Sequence, residues 1–162
     1  MKNIVRTTMA GIAGGVAFAG IAFLTFGLLS GSRPGQTGLL FNPDTQSAKV
    51  IAVWKTIQPL PLITTHPPLI LIGFIAFGVI FAFLFRSIQA AWPPKRWSRI
   101  WRLALLIWIA TLFFEFMGPL NVLRESPSVQ WIELVFWAGC SLAEAAIIVS
   151  TSSRANSSST SV

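Results

Sequence analysis

The 162-residue chain has one cysteine, Cys140. That excludes a disulfide framework and any CxxC metal or redox motif. Charge is scarce as well, at 10% of residues, where soluble domains carry about 25%. Acids are the scarcest, with five Asp and Glu against 12 Lys and Arg. There is one histidine, His66, and neither HExxH nor ExxH occurs to fix a metal geometry. The glycines of the first apolar run follow no strand and so form no phosphate loop. No motif for haem attachment, iron–sulfur clusters or nucleophilic catalysis is present, and no internal repeat is convincing. These absences lean away from an enzyme, and no cofactor or metal is expected.

Apolar sequence is what the chain has in quantity. It is 54% hydrophobic with a mean hydropathy of +0.70, so lipid is the expected solvent for most of it. The length allows one domain and leaves no room for a separate soluble domain beside a helical bundle. The net charge of +7 does not imply nucleic acid, because the basic residues fall at the ends of apolar runs, where topology signals belong.

Met9 to Leu29 gives 21 uncharged residues, enough to cross a hydrocarbon core of about 30 Å. A signal peptide is the rival reading, with Ala17-Phe18-Ala19 as a small-x-small cleavage site. The apolar run continues beyond it, which favours an uncleaved helix. Gly11 and Gly15 form GxxxG, a face for close packing in the bundle or, alternatively, for a dimer. Leu69 to Phe85 is a second uncharged run of 17 residues. Leu103 to Met117 is the third apolar helix, ended or kinked at Gly118-Pro119, and Val129 to Ser150 is the fourth; these two carry glutamates.

The expected fold is therefore an all-α integral membrane protein. It is a four-helix transmembrane bundle with helices over about 8–29, 68–86, 100–118 and 129–150. These form one domain, 1–150, and the Ser/Thr-rich tail 151–162 is expected to be disordered.

The connection Ser30 to Pro67 opens with turn-formers at Gly31, Pro34, Gly35 and Gly38. Asp44 or Thr45 is placed to cap a short helix over about 45–58. Val50, Val53, Trp54 and Ile57 recur there at helical spacing, which suits an interfacial helix or a lid over the bundle.

Lys95, Arg96, Arg99 and Arg102, interleaved with Trp92, Trp97 and Trp101, make the densest basic cluster. It reads as a cytoplasmic topology signal with a headgroup-binding role toward anionic lipid. Both termini then fall on the cytoplasmic side of a plasma or inner membrane, in agreement with Lys2, Arg6 and Arg154. The first outer loop, with Arg33, Lys49 and Lys55, works against this orientation.

Three of the four glutamates lie in apolar runs, where charge is costly and marks a pairing or a site. Glu115 and Glu133 sit at similar depth on helices joined by a short turn, so they are candidates for one polar or ion site. His66 and Asn121 lie at the same end as further members. Pairing of either acid with Arg124, or with backbone freed by Pro119, is the purely structural alternative. Glu144 follows Glu133 by 11 residues and returns to the same face. Gln130, Glu133, Trp137, Cys140 or Ser141, and Glu144 make one stripe that should face the interior. Glu144 is expected to bridge to Arg86, Arg99 or Arg102 at the basic end, with Cys140 a packing residue.

Two functions from different classes fit. One is an accessory, interaction or structural membrane subunit with a protein partner or a second copy of itself. The other is a proton- or cation-coupled transporter or channel built on Glu115, Glu133 and Glu144. A membrane enzyme with an outer Glu/His site is a distant third.

Overall fold

The computed structural model describes residues 2–31 and 38–157. The turn-formers Pro34 and Gly35, and Arg33 with them, lie outside the described residues, as do the tail positions 158–162. All regular structure among the described residues is helical. The chain runs α1 (Lys2–Ser30), a 3-10 turn (Leu39–Phe41), α2 (Ala48–Lys55), a single turn α3 (Leu62–Thr65) and α4 (Pro67–Ile88). A 3-10 turn (Gln89–Ala91) leads to α5 (Arg96–Glu115), π-helical turns (Phe116–Leu123) and α6 (Pro127–Ser157). Four helices are long and apolar enough to cross a membrane: Asn3–Ser30, Pro67–Ala91, Arg96–Leu123 and Pro127–Ser152.

α1 is the central helix. It packs against α4 on one side and α6 on the other, and α5 packs on α6. Small residues set this arrangement. A Cβ on Gly15 would lie 2.4 Å from the Phe74 carbonyl oxygen and 2.7 Å from Ile75 Cα. One on Gly78 would lie 2.5 Å from the nitrogen of Gly15. The GxxxG face of α1 is thus occupied by the backbone of α4 within the same chain. Gly14, on the other flank, clears space for Ile148 and Glu144 of α6.

The helices alternate in direction, and hydrogen bonds gather their basic ends. Arg6 donates to the Thr151 carbonyl at 3.0 Å, Arg86 to Thr7 Oγ1 at 3.4 Å, and Arg96 to Ser150 Oγ at 2.6 Å. Phe85, Ile100, Leu103, Ile107 and Ile148 fill the core above them. Farther up, Phe18 stacks on Trp137 with ring centroids 5.6 Å apart. At this upper end the connection between α1 and α4 folds back over the bundle.

The element ends depart from the sequence reading in physical detail. α2 starts later than Asp44 and is shorter than 45–58. Its cap is Ser47, whose Oγ accepts the Val50 N–H at 3.3 Å. Asn42 Oδ1 accepts the Asp44 N–H instead, which spends Asp44 in a turn. α6 continues to Ser157 in place of an end near 150. The third long helix does not stop at Pro119. Proline has no N–H for the carbonyl four residues back and its ring crowds that carbonyl, so the helix widens into π turns and continues to Leu123.

Candidate functional site

Pro119 cannot donate to the carbonyl of Glu115 as an α-helix would require. Gln130 of α6 adds a side-chain donor there, its Nε2 lying 3.4 Å from the Glu115 carbonyl oxygen. Seven residues along the same stripe, Trp137 Nε1 donates to Glu115 Oε1 at 2.5 Å. One face of α6 therefore holds Glu115 by its backbone and by its side chain.

The π turns end on Arg124, which adopts a left-handed conformation with φ 53°. That reversal returns the chain beneath itself, and the Glu125 N–H bonds the Pro119 carbonyl at 3.0 Å. Glu125 is carried inward. Its Oε1 accepts from Gln46 Nε2 at 2.6 Å. Gln46 is locked in turn, because its Oε1 accepts the N–H groups of Ser47 at 2.8 Å and Ser126 at 3.0 Å. Lys49 adds a bond to the Val122 carbonyl. These contacts hold the α1–α4 connection against the turn before α6.

Glu133 completes the group from the second turn of α6, its carboxyl brought beside those of Glu115 and Glu125. One carboxyl oxygen from each of Glu115, Glu125 and Glu133 lies within 4.8 Å of the other two. All three side chains are at least 95% buried. Oε2 of Glu115 and Oε2 of Glu125 are buried and have no hydrogen-bond partner. No Lys or Arg among the described residues lies within 4.0 Å of a carboxylate.

At that spacing each pair of ionised carboxylates repels by at least about 3.5 kcal/mol at an effective dielectric of about 20. Three together are stable only with protons or a cation among them. Burial pushes the Glu125 carboxyl above its ordinary value of 4.5, against the opposing pull of the Gln46 amide.

The group opens on a cavity of about 620 Å³. Glu115, Glu125 and Glu133 form one wall, and Phe26, Phe41, Trp54, Phe74 and Trp137 supply aromatic surface around it. A second cavity of about 340 Å³ lies between α4 and α5 and shares Phe74, Glu115 and Trp137 with the first. α2 lies along the larger cavity. Val50 and Trp54 face the larger cavity, and the ammonium of Lys55 sits 4.7 Å from the Phe41 ring centroid.

Sequence reasoning paired Glu115 with Glu133, and the structure brings them together. It does not bring His66 or Asn121 to them. His66 is exposed, with its Nδ1 3.1 Å from Thr65 Oγ1. Asn121 is exposed on the π turns, and Arg124 is also turned outward. The direction of each of these side chains about its axis was not readable from the sequence.

Glu144 makes no bridge to Arg86, Arg99 or Arg102. It is fully buried against Gly14 of α1, and neither carboxyl oxygen has a partner. Arg86 and Arg102 are exposed, while Arg99 is bonded to the carbonyls of Pro93 and Gln89. Arg86 instead reaches Thr7 Oγ1 of α1. Lys95 and Arg96 are exposed at that same end, and Cys140 is a buried packing residue.

Glu125 and Gln46 were missed. Glu125 stands in a polar turn, where an acid is unremarkable. Its only signal is its place just before Ser126-Pro127, at a helix start. Gln46 gives no signal, since its role depends on the long connection folding back. No protein-family model, curated protein or solved structure matches the chain, so its functional reading stands on this geometry alone.

Proposed function

We propose that the chain is a four-span protein of the plasma or inner membrane that binds a proton or cation at Glu115, Glu125 and Glu133, as part of a coupled transporter. The observation that carries this reading is the convergence of three buried carboxyls, two with unpartnered oxygens, on the wall of a cavity. Intramembrane acids mark ion and proton routes because no other role offsets their desolvation so readily.

The membrane placement is supported by the surface of the long helices. Leu24, Ile80, Phe114, Trp131 and Val135 are all more than 60% exposed, which suits lipid and not water. Trp97 and Trp101 flank the basic cluster as headgroup anchors. The positive-inside rule then puts Lys95, Arg96, Arg99, Arg102 and both termini in the cytoplasm and the carboxyl group at the outer side. Lys49 and Lys55 of the outer loop are engaged locally, by the Val122 carbonyl and the Phe41 ring.

An accessory or structural subunit is the second reading, and it keeps its support from the lack of any catalytic motif. Its other support, the GxxxG face, is spent on α4 inside the chain.

The test is flux in liposomes. Wild-type protein moves protons or a coupled cation down an imposed gradient. Glu115→Gln and Glu133→Gln keep assembly intact and abolish the flux. Undiminished flux in both variants overturns the reading.

A further inference from the structure

The larger cavity is not shaped for a bare metal ion. Hard cations such as Ca²⁺ need six to eight oxygens around them. Here the carboxyl oxygens are confined to one wall, and most of the remaining lining is apolar or aromatic. A volume of about 620 Å³ falls in the range of pockets that enclose whole organic ligands, about 300–1,000 Å³.

Aromatic faces beside carboxylates suit a weakly hydrated organic cation. Its charge is met by the acids and by ring quadrupoles, and its body by apolar side chains. Phe26, Phe41, Trp54, Phe74 and Trp137 provide those faces.

The second cavity supplies a way in. α4 and α5 are consecutive, yet their backbones stay apart. The crevice of about 340 Å³ between them ends on Phe74, Glu115 and Trp137, which also line the larger cavity. Gly73, on the α4 side, has no atom within 4 Å of where a Cβ would stand. The unpartnered Oε2 of Glu115 belongs to the residue common to both spaces.

We propose that the cargo is an amphipathic organic cation, an ammonium or phosphonium on an alkyl or aryl body, which enters from the lipid side between α4 and α5 and binds against Glu115 and Glu133. This rests on the carboxyl trio being a cation site, and it adds the ligand class and the route.

The experiment uses the full chain in nanodiscs with tetraphenylphosphonium as the probe, followed by equilibrium dialysis and stopped-flow quenching of tryptophan fluorescence. Mn²⁺ binding and proton release are measured in parallel. The wild-type protein binds the probe saturably and releases protons on doing so. Glu133→Gln weakens binding by about tenfold or more, as loss of a buried charge contact does. Trp54→Ala, on α2 and away from the bundle core, weakens it several-fold, and Gly73→Leu slows association. Binding of Mn²⁺ with no retention of the probe above empty nanodiscs overturns the ligand class and leaves the carboxyl site standing. Absence of probe binding, Mn²⁺ binding and proton release together overturns both. Probe binding that Glu133→Gln and Trp54→Ala leave intact overturns the placement, and association unaffected by Gly73→Leu overturns the route.

Discussion

Gln46 Nε2 donates to Glu125 Oε1 at 2.6 Å, joining residues 79 positions apart in a buried contact. The same amide accepts two backbone N–H groups through its oxygen. Gln46 is thus the pin that holds the α1–α4 connection over the carboxyl group. Replacing it with alanine leaves three polar groups without a partner. Gln46→Ala is expected to destabilise the protein by about 1–3 kcal/mol. Chemical denaturation in detergent micelles measures this. A change of a few tenths would show that the pin carries no weight.

The carboxyl of Glu125 gives stability a pH dependence of defined sign. Burial raises its pKa above 4.5 in the folded state, so the folded protein binds this proton more tightly than the unfolded chain does. Its contribution is fully present below about pH 4.5 and declines as pH rises toward the folded value. Glu125→Gln removes that share of the slope. Unfolding midpoints measured from pH 4 upward should fall with pH in the wild type and fall less steeply in the variant.

How much of this was legible follows from which force writes each feature. The four long helices were readable because apolar stretches of countable length, broken by few charges, stand out in the sequence. The pairing of Glu115 with Glu133 was readable because depth follows from a rise of about 1.5 Å per residue along two helices joined by a turn. The third member was not. Glu125 enters the site through the left-handed turn at Arg124 and the grip of Gln46, both products of tertiary packing. Glu144 shows the complementary failure. Its depth suggested Arg86 or Arg102, but the seam it occupies is decided by Gly14, a contact that no local pattern reports.

The seam between α1 and α4 depends on having no side chain at Gly15. A Cβ there meets the α4 backbone at 2.4 Å, so Gly15→Val must drive the helices apart. The expected cost is at least the 1–3 kcal/mol typical of overpacking, roughly. Gly20 is the control, since a Cβ there meets nothing within 4 Å. Gly20→Ala should be neutral or stabilising by about 0.5–1 kcal/mol. Thermal unfolding in detergent separates the two variants.

Arg124 occupies a left-handed backbone position, φ 53° and ψ 49°, with its side chain exposed. A non-glycine residue there costs about 1–2 kcal/mol. Arg124→Gly relieves this at the expense of a more flexible unfolded chain. The net expectation is a rise in stability of about 0.5–1 kcal/mol with cation binding retained. A fall in stability would mean that the guanidinium pairs with one of the acids.

The central claim is that Glu115, Glu125 and Glu133 titrate as one site. Infrared difference spectroscopy of the protein in nanodiscs, with ¹³C-labelled glutamate, observes the protonated carboxyl bands directly. The chain has four glutamates, so single Glu→Gln variants assign the bands. The account predicts coupled titration: Glu125→Gln shifts the curves of Glu115 and Glu133, while Glu144→Gln, on the distant seam, leaves them in place. If Glu125→Gln leaves the bands of the other two unmoved, each acid titrates alone and the shared site does not exist.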